Sequence, residues 1–411
     1  MESPSALTAR TSEQGLLPSL PYELLAAVCE YLDPPSLRAL SLTCRKAVLP
    51  ANDVLYQGYN NLSSGRKRLH LFLRTLVQQP ELAAKIKSIE LSGWVTETEL
   101  EEGRSRVWNE QLEDITSPRE SSRWSDVANI KSNAIPARDM FSRARTVNRV
   151  DRTNDDLELF ALFLDAAQNL GFVSRDREYD PGIYRTRKRR WAIASNGGDL
   201  VRNLAKNIED AHVFLILASV PNLESLSIRE MRPFKTLNWS CFFRKSNTAL
   251  NSLKKLHIFR SYMGGQWDGG KLASYRSLDQ FLNYMPQLTD LNLVGIVGVD
   301  GWKISKRRRS TGGANTKLSK VTLVDSEFTE GFFAWLLSGT DSITEFTCLF
   351  ESQTFWLNYQ EVIDQLAGSK DTLQSLTLDE ASPLSDYNPT SLANLSHFER
   401  LESLAAPHQY Q

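Results

Sequence analysis

The segment LESLSI, residues 223–228, has apolar residues at its first, fourth and sixth positions. The alternation at the end of this phrase is typical of a strand with one buried face. From residue 223 onward the phrase recurs at intervals of 25 to 35 residues, which predicts a repeat architecture whose neighbouring units share one core. The other copies are IKSIEL (86–91), LKKLHI (253–258), LTDLNL (288–293), LSKVTL (318–323), ITEFTC (343–348), LQSLTL (373–378) and the degenerate LESLAA from 401.

The segments between these phrases have the spacing of helices. Residues 277–286, 329–339 and 358–368 carry apolar residues three and four positions apart and end in Gly or Pro, and longer helices are predicted at 155–171 and 199–221. This alternation predicts an α/β solenoid with parallel strands on a concave face and helices on a convex face. The alternative is a doubly wound α/β enzyme, but such a fold usually has a Gly-rich phosphate loop, and the sequence has none.

Toward the N-terminus, residues 17–50, LPSLPYELLAAVCEYLDPPSLRALSLTCRKAVLP, predict two short amphipathic helices. Pro21 suits the first position of one helix, and Ser36 is predicted to be the N-cap of the other. Helices of this length are unstable alone, so they need a partner. Their apolar rows are Leu24, Val28 and Leu32, and then Leu37, Leu40, Cys44 and Val48.

This segment resembles the F-box, the motif by which substrate receptors attach to the Skp adaptor of cullin-based (SCF) ubiquitin ligases. Ala47 departs from the family, which usually has an aromatic residue there, and this bears on the packing of a third helix. The alternative is a generic helical hairpin that caps a larger domain. The matching residues are Leu20-Pro21, Leu24, Val28, Leu32, Leu37, Leu40, Cys44-Arg45 and Leu55-Tyr56. The resemblance implies that the adaptor-binding residues are Leu20, Pro21, Leu24, Val28, Leu32, Leu37 and Cys44, some of them shared with the module's own core.

The rest of the chain resembles the irregular leucine-rich repeats that follow an F-box in many receptor proteins, particularly fungal ones. Residues 70–94 and 221–228 carry much of this likeness. Residues 95–155 mix basic and acidic side chains densely and have few apolar residues. This composition predicts a partly disordered insertion. The predicted division is a disordered tail (1–15), the F-box (16–60) and an all-repeat region (61–411) that contains this charged insertion at 95–155.

The outward positions of the repeated strands predict where a target protein binds. The third, fifth and seventh positions of each phrase face away from the core. The seventh-position column has four apolar residues between two charged ones, and the fifth-position column is polar. The alternative is that loops or a C-terminal tail cover the apolar residues. The predicted target-binding residues are Arg229, His257, Phe259, Asn292, Val294, Val324, Leu349 and Asp379, with Phe259 and Leu349 as anchors.

Together the two resemblances imply a substrate-recognition subunit that is not itself an enzyme. Its partners are then the Skp adaptor, through it a cullin, and a target protein that is held near the activated ubiquitin. Two alternatives stay open: a non-degradative scaffold that binds the adaptor without a cullin, and an α/β enzyme with no recognisable motif.

Composition and charge narrow the kinds of ligand, partner and cellular compartment that the sequence predicts. With 48 basic and 49 acidic residues the net charge is −1, so no overall field draws the chain to nucleic acid or to a membrane. Four cysteines without a CxxC motif and five dispersed histidines predict no metal, no cofactor and a reducing compartment, the cytoplasm or nucleus. The N-terminus lacks a secretory signal. The basic runs at 185–190 and 306–309 are interpreted as nuclear-import signals, a nucleic-acid patch or solvated loops.

Overall fold

A computed structural model gives the fold for most of the repeated phrases and for the N-terminal helices. The predicted tail at 1–15, residues 95–153 of the charged insertion, both basic runs, and most of the helices predicted at 277–286 and 329–339 lie outside the described residues. The described residues are 20–61, 69–92, 94, 154–173, 198–205, 208–229, 250–259, 282, 285–295, 317–324, 326, 336–337, 340, 342–350, 359–380 and 395–405.

Within residues 20–61 the helices are α1 (Tyr22–Glu30), α2 (Pro34–Thr43) and α3 (Arg45–Leu55). Pro21 precedes α1 as its N-cap and is not its first residue. The prediction that Ser36 caps the second helix is wrong, because Asp33 is the cap and the Ser36 N–H donates to Asp33 Oδ1 at 3.0 Å. Pro34 and Pro35 fill the first helical positions, where a missing N–H costs little. Hydrogen bonding from Ser36 lowers the pKa of Asp33.

The predicted second helix is interrupted at Cys44. The backbone there is extended, with φ −139° and ψ 119°, so α2 ends before this residue and α3 begins after it. The apolar row predicted from Leu37 through Leu40 and Cys44 to Val48 therefore does not lie on one helix. Near the break the Thr43 hydroxyl donates to the Leu40 carbonyl at 3.0 Å, a local bond of the kind that competes with helical pairing.

The three helices enclose a small core of their own. Cys29, Leu37 and Ala51 are buried in it. Ala47, where the F-box resemblance leads one to expect an aromatic residue, is fully buried, so α3 packs closely at this position. The half-buried residues that pack against this core are Leu32, Leu40, Val54 and Leu55.

The described strands form one parallel sheet whose spatial order is the order of the sequence. Every copy of the repeated phrase forms a strand in register with its neighbours, and β1 is an additional strand that the pattern did not predict. A doubly wound sheet reverses its order at a switch point, whereas the nine described strands run without reversal. The strands are β1 (Gly58–Asn60), β2 (Ser88–Ser92), β3 (Ser225–Arg229), β4 (Lys255–Phe259), β5 (Asp290–Val294), β6 (Lys320–Val324), β7 (Glu345–Phe350), β8 (Ser375–Glu380) and β9 (Ser403–Ala405).

A repeated pair of backbone hydrogen bonds joins each unit to the next. The carbonyl at the second position of a phrase accepts the N–H groups of the second and third positions of the next phrase, at 2.7 to 3.0 Å. The Lys87 carbonyl, for example, accepts from Glu224 and Ser225. The same pair of bonds begins at the Gln57 carbonyl, just before β1, and ends at β9. This ladder of second-position carbonyls fixes the register between neighbouring units.

The predicted alternation of inward and outward positions is confirmed in β2 to β8 but not in β9, where the fourth-position Leu404 is exposed. In β4, Leu256 and Ile258 are buried, while Lys255 is exposed and Phe259 is half-buried. Among the described residues, Phe346 on β7 is the largest fully buried side chain. The buried fourth- and sixth-position residues, which form the inner face, are Ile89, Leu91, Leu226, Ile228, Leu256, Ile258, Leu291, Leu293, Val321, Leu323, Phe346, Cys348, Leu376 and Leu378.

Buried residues of the helices share one core with the inner face of the sheet. The helices predicted at 155–171 and 358–368 are confirmed, and the one predicted at 199–221 is present as two helices. None of the helices in the described part of the chain is long and apolar enough to cross a membrane. These helices are α4 (Leu69–Gln78), α5 (Pro80–Ala83), α6 (Asn154–Asn169), α7 (Gly198–Ala205), α8 (Glu209–Ser219) and α9 (Tyr359–Leu366).

A buried histidine lies where α8 packs against α4, α6 and α7. His212 on α8 is 2% exposed, and its ring meets that of Phe163 edge-on, with 5.4 Å between centroids. Its Nδ1 has no hydrogen-bond partner among the described residues. Burial lowers the pKa of His212 to about 3, with a smaller contribution from the nearby charge of His70.

We expect mild acid to destabilise the protein through His212. Its folded-state pKa lies below the unfolded value of about 6.5, so between the two values the unfolded chain binds a proton that the folded chain does not. Stability is therefore highest above the unfolded pKa and falls as the pH drops below it, by up to about 1.4 kcal/mol per pH unit. Urea unfolding at about pH 7 and about pH 5 measures this loss. His212→Phe should make the loss smaller, and an equal loss in both proteins contradicts the assignment.

Candidate functional site

An exposed apolar surface lies on α1. Leu24 and Val28, one helical turn apart, are 53% and 41% exposed, whereas Leu25 and Cys29 on the same helix are buried in the core. Large apolar side chains that share one exposed helix face are typical of a surface that another protein covers. We call Leu24 and Val28, with the neighbouring exposed Pro21, the α1 patch.

The predicted adaptor-binding residues differ in exposure: one is buried and the others are half-buried or exposed. Leu37 is only 2% exposed and therefore supports the surface from within the helical core, as expected for part of this set. The others are the exposed Pro21, Leu24 and Val28 and the half-buried Leu20, Leu32 and Cys44.

Besides Tyr22 and Val48, which are 44% and 36% exposed, three further apolar side chains of this segment are exposed and were missed by the spacing pattern. Tyr31, Leu42 and Leu49 are 91%, 81% and 58% exposed. Tyr31 follows the last residue of α1, and neither Leu42 nor Leu49 is among the buried residues of its helix. The sequence could have indicated Tyr31, Leu42 and Leu49, because each is a large apolar residue outside the predicted apolar rows of the helices.

The helices are tied to the sheet by a polar link and by the chain itself. The Tyr22 hydroxyl on α1 donates to Asp53 Oδ2 on α3 at 2.5 Å, and Asp53 Oδ1 pairs with Lys85, which follows α5. Hydrogen bonds from Lys85 and Tyr22 lower the pKa of Asp53. Only Tyr56 and Gln57 separate α3 from β1. The three helices are thus joined to the sheet region by one ion pair and a two-residue connection.

On the outer face of the sheet, the predicted seventh-position column is brought together as a continuous line. Arg229 is in register with Phe259, and the line continues to Val294, Val324, Leu349 and Asp379. The four apolar members are half-buried, and the side chain of Asp379 lies outside the described residues. We call Phe259, Val294, Val324 and Leu349 the outer apolar row.

Arg229 closes one end of this row. Its Nε lies 2.6 Å from Glu90 Oε1 on the neighbouring strand, and its Cζ lies 5.4 Å from the centroid of the Phe259 ring. The guanidinium is thus both paired with a carboxylate and stacked on an aromatic face. The sequence predicted Arg229 as a charged end of the row but gave no sign of its partner Glu90.

The fifth-position column runs beside the row and is polar as predicted. His257 and Asn292 are in register on β4 and β5, followed by Thr322, Thr347 and Thr377. His257 Nε2 and Asn292 Oδ1 are buried and have no hydrogen-bond partner among the described residues. Buried polar atoms of folded proteins are usually paired, so these two stand out on this face.

The third-position column carries alternating charges. Lys255, Asp290, Lys320 and Glu345 follow one another on β4 to β7. Lys320 Nζ lies 2.6 Å from Glu345 Oε2, and this hydrogen bond raises the pKa of Lys320. Both side chains are about half exposed, so the pair adds little stability. Because positive and negative side chains alternate along it, the third-position column carries little net charge.

The described residues hold no group of three or more His, Cys, Asp or Glu side chains suited to a metal ion. Residues 17–56, about a tenth of the chain, match the F-box-like family model. A search among curated proteins found no match. The match supports an F-box protein, in which a helical F-box-like region precedes an α/β region with a parallel sheet. Such a domain suggests a substrate-recognition adaptor of an SCF ligase and indicates an adaptor-type protein rather than an enzyme.

Proposed function

We propose that this chain is the substrate-recognition subunit of an SCF ubiquitin ligase. The F-box-like helices dock the Skp adaptor, and through it a cullin, while the outer face of the sheet binds the target protein. The observation that carries the proposal is the α1 patch, in which Leu24 and Val28 of the F-box-like segment stay exposed in the free chain. F-box domains typically bind the Skp adaptor within SCF complexes, and exposed apolar side chains are what such a contact buries.

The α/β region is, in this proposal, an irregular leucine-rich-repeat solenoid of the kind that follows an F-box in fungal receptors. Three observations support it: the recurring phrase, the parallel strands in sequence order and the ladder of second-position carbonyls. In a solenoid each unit contacts only its neighbours and the stack presents one long binding face. The outer apolar row lies on that face.

The contribution of such a subunit to ubiquitin transfer is positional. Holding a target lysine close to the activated ubiquitin raises its effective concentration, so this chain supplies docking surfaces and no nucleophile. The short connection from α3 to β1 and the ion pair of Asp53 with Lys85 support this role, because they keep the F-box-like helices next to the sheet that is proposed to bind the target.

Truncation tests whether the F-box-like helices alone bind the adaptor and whether the sheet folds without them. Deletion of residues 1–56 removes all three helices but keeps the Gln57 carbonyl and β1. We expect this variant to lose the adaptor and the cullin while it still melts cooperatively. Deletion of residues 1–60 also removes β1 and leaves β2 as an open edge, so its Tm should be lower.

Co-purification from cells that express the tagged full chain or the shorter deletion is the measurement. Adaptor and cullin should accompany the full chain alone. Retention of the adaptor by the deletion variant contradicts F-box docking. Recovery of the adaptor without a cullin from the full chain instead indicates a non-degradative scaffold.

A further inference from the structure

We propose that the outer face recognises an extended, uncharged segment of the target, whose amide group is held by His257 and Asn292 while its apolar side chains lie along the outer apolar row. This inference rests on the proposed function, which assigns the target to this face. It specifies the chemistry that the face recognises.

The first support is the pair of unsatisfied atoms. His257 and Asn292 are in register and share the outer face, yet His257 Nε2 and Asn292 Oδ1 bond neither to each other nor to another described group. A buried polar atom without a partner destabilises the free protein. Both residues are only half-buried, so a change of side-chain rotamer can present these atoms to a ligand, and a ligand that supplies the missing hydrogen bonds removes this penalty when it binds.

The chemistry of the two atoms defines the ligand group. Asn292 Oδ1 only accepts, so the ligand must present a donor, while the imidazole Nε2 donates or accepts according to its tautomer. An amide has both an N–H donor and a carbonyl acceptor. The peptide backbone and the side chains of Asn and Gln share this chemistry.

The charges around the pair favour an uncharged ligand. Arg229 is already bonded to Glu90, and Lys320 to Glu345. A phosphate or carboxylate on the target that used either of these cations would have to replace its partner, and the exposed Lys255 on β4 lies in register with the acidic Asp290. The apolar row also suits side chains without charge, and His257 itself lies beside Phe259, with 6.1 Å between ring centroids.

The size of the row sets the length of the segment. It crosses the four strands from β4 to β7, a distance of about 14 Å at a strand spacing of about 4.8 Å. An extended chain rises about 3.3 Å per residue, so the recognised segment has about four or five residues.

The stability of the free protein gives the first test. Asn292→Leu removes an unpaired polar group and keeps the volume, so we expect the Tm of the full chain to rise. Asn61→Leu is the matched control: Asn61 is buried with both amide atoms bonded to Ser92, at 2.7 and 3.0 Å, so its Tm should fall. A fall in Tm for Asn292→Leu comparable to that control overturns the proposal, because Asn292 then has a structural role.

Binding gives the second test. A displayed library of random peptides of about ten residues, twice the length of the site, is selected on the full chain, with and without phosphoserine. Unphosphorylated peptides should be enriched, and both Asn292→Leu and His257→Phe should weaken their binding about tenfold, the loss expected for one hydrogen bond. Backbone N-methylation and Asn or Gln to Ala changes in the peptide distinguish the two sources of the amide.

The remaining outcomes separate this inference from the proposed function. Peptides that lose binding to a Phe259→Glu, Leu349→Glu variant but bind Asn292→Leu and His257→Phe normally leave the target face in place and overturn the amide contact. Enrichment only of phosphoserine peptides overturns the uncharged ligand. Peptides that bind the Glu variant normally, or no enriched peptide at all, overturn the target face and with it this inference.

Discussion

Replacing Leu24 and Val28 together with alanine should weaken binding of the Skp adaptor by about 2 kcal/mol, roughly thirtyfold. Both side chains are about half exposed in the free chain, so their truncation removes apolar area that only a partner buries. The fold of the helices should persist, because Leu25 and Cys29 fill the core from the other side of α1. Titration of purified adaptor into the full chain, by calorimetry or surface plasmon resonance, measures the change.

A matched control is available elsewhere on the surface. Leu71 on α4 and Leu157 on α6 are 37% and 42% exposed, and their double alanine variant loses a similar apolar area outside the F-box-like segment. Adaptor affinity should be unchanged in this control. Normal adaptor binding by a folded Leu24→Ala, Val28→Ala protein would remove the basis for docking through the α1 patch.

The inner face of the sheet should be far more sensitive to truncation than the outer face. Phe346→Ala should lower the free energy of unfolding by about 4 kcal/mol, since a fully buried aromatic leaves both lost contacts and a cavity. Leu349 lies on the same strand but faces the opposite side and is half-buried. Leu349→Ala should cost about 1 kcal/mol or less. Urea unfolding of the two variants beside the native protein gives both numbers.

This comparison also decides whether the outer apolar row is free to bind. The alternative is that another part of the chain covers the row as a second core. In that case Leu349→Ala would destabilise the protein nearly as much as Phe346→Ala does. A small loss at Leu349 with a large loss at Phe346 leaves the row available to a target.

The repeated strands and their buried positions could be predicted from the sequence because alternation has a period of two and reports one buried face directly. The extra strand β1 could not, since only Tyr59 of GYN at 58–60 packs against the core, and a single apolar position shows no alternation. The cap of α2 was misassigned because Asp33 and Ser36 are both good caps. The pair of prolines between them settles the choice, since it sets where the helix begins.

The contents of the outer face were only partly predictable. The columns of outward residues follow from the phrase, so their members could be named in advance. The contact of Arg229 with Glu90 joins residues separated by the charged insertion, and no local pattern reports such a pairing. The unpaired atoms of His257 and Asn292 depend on atomic positions, which residue type alone does not give.

The ladder of second-position carbonyls has a consequence for how this protein can evolve. Its bonds use only backbone atoms, and the residues that make them are as different as Lys87, Glu224, Thr289 and Gln374. Mutations to residues other than proline at the second, third, fifth and seventh positions therefore leave the ladder intact, and inheritance of the fold depends mainly on the inward apolar positions. A lineage can then exchange one target for another through successive surface substitutions, each nearly neutral for folding. The backbone fold then stays the same while the target specificity of the outer face changes.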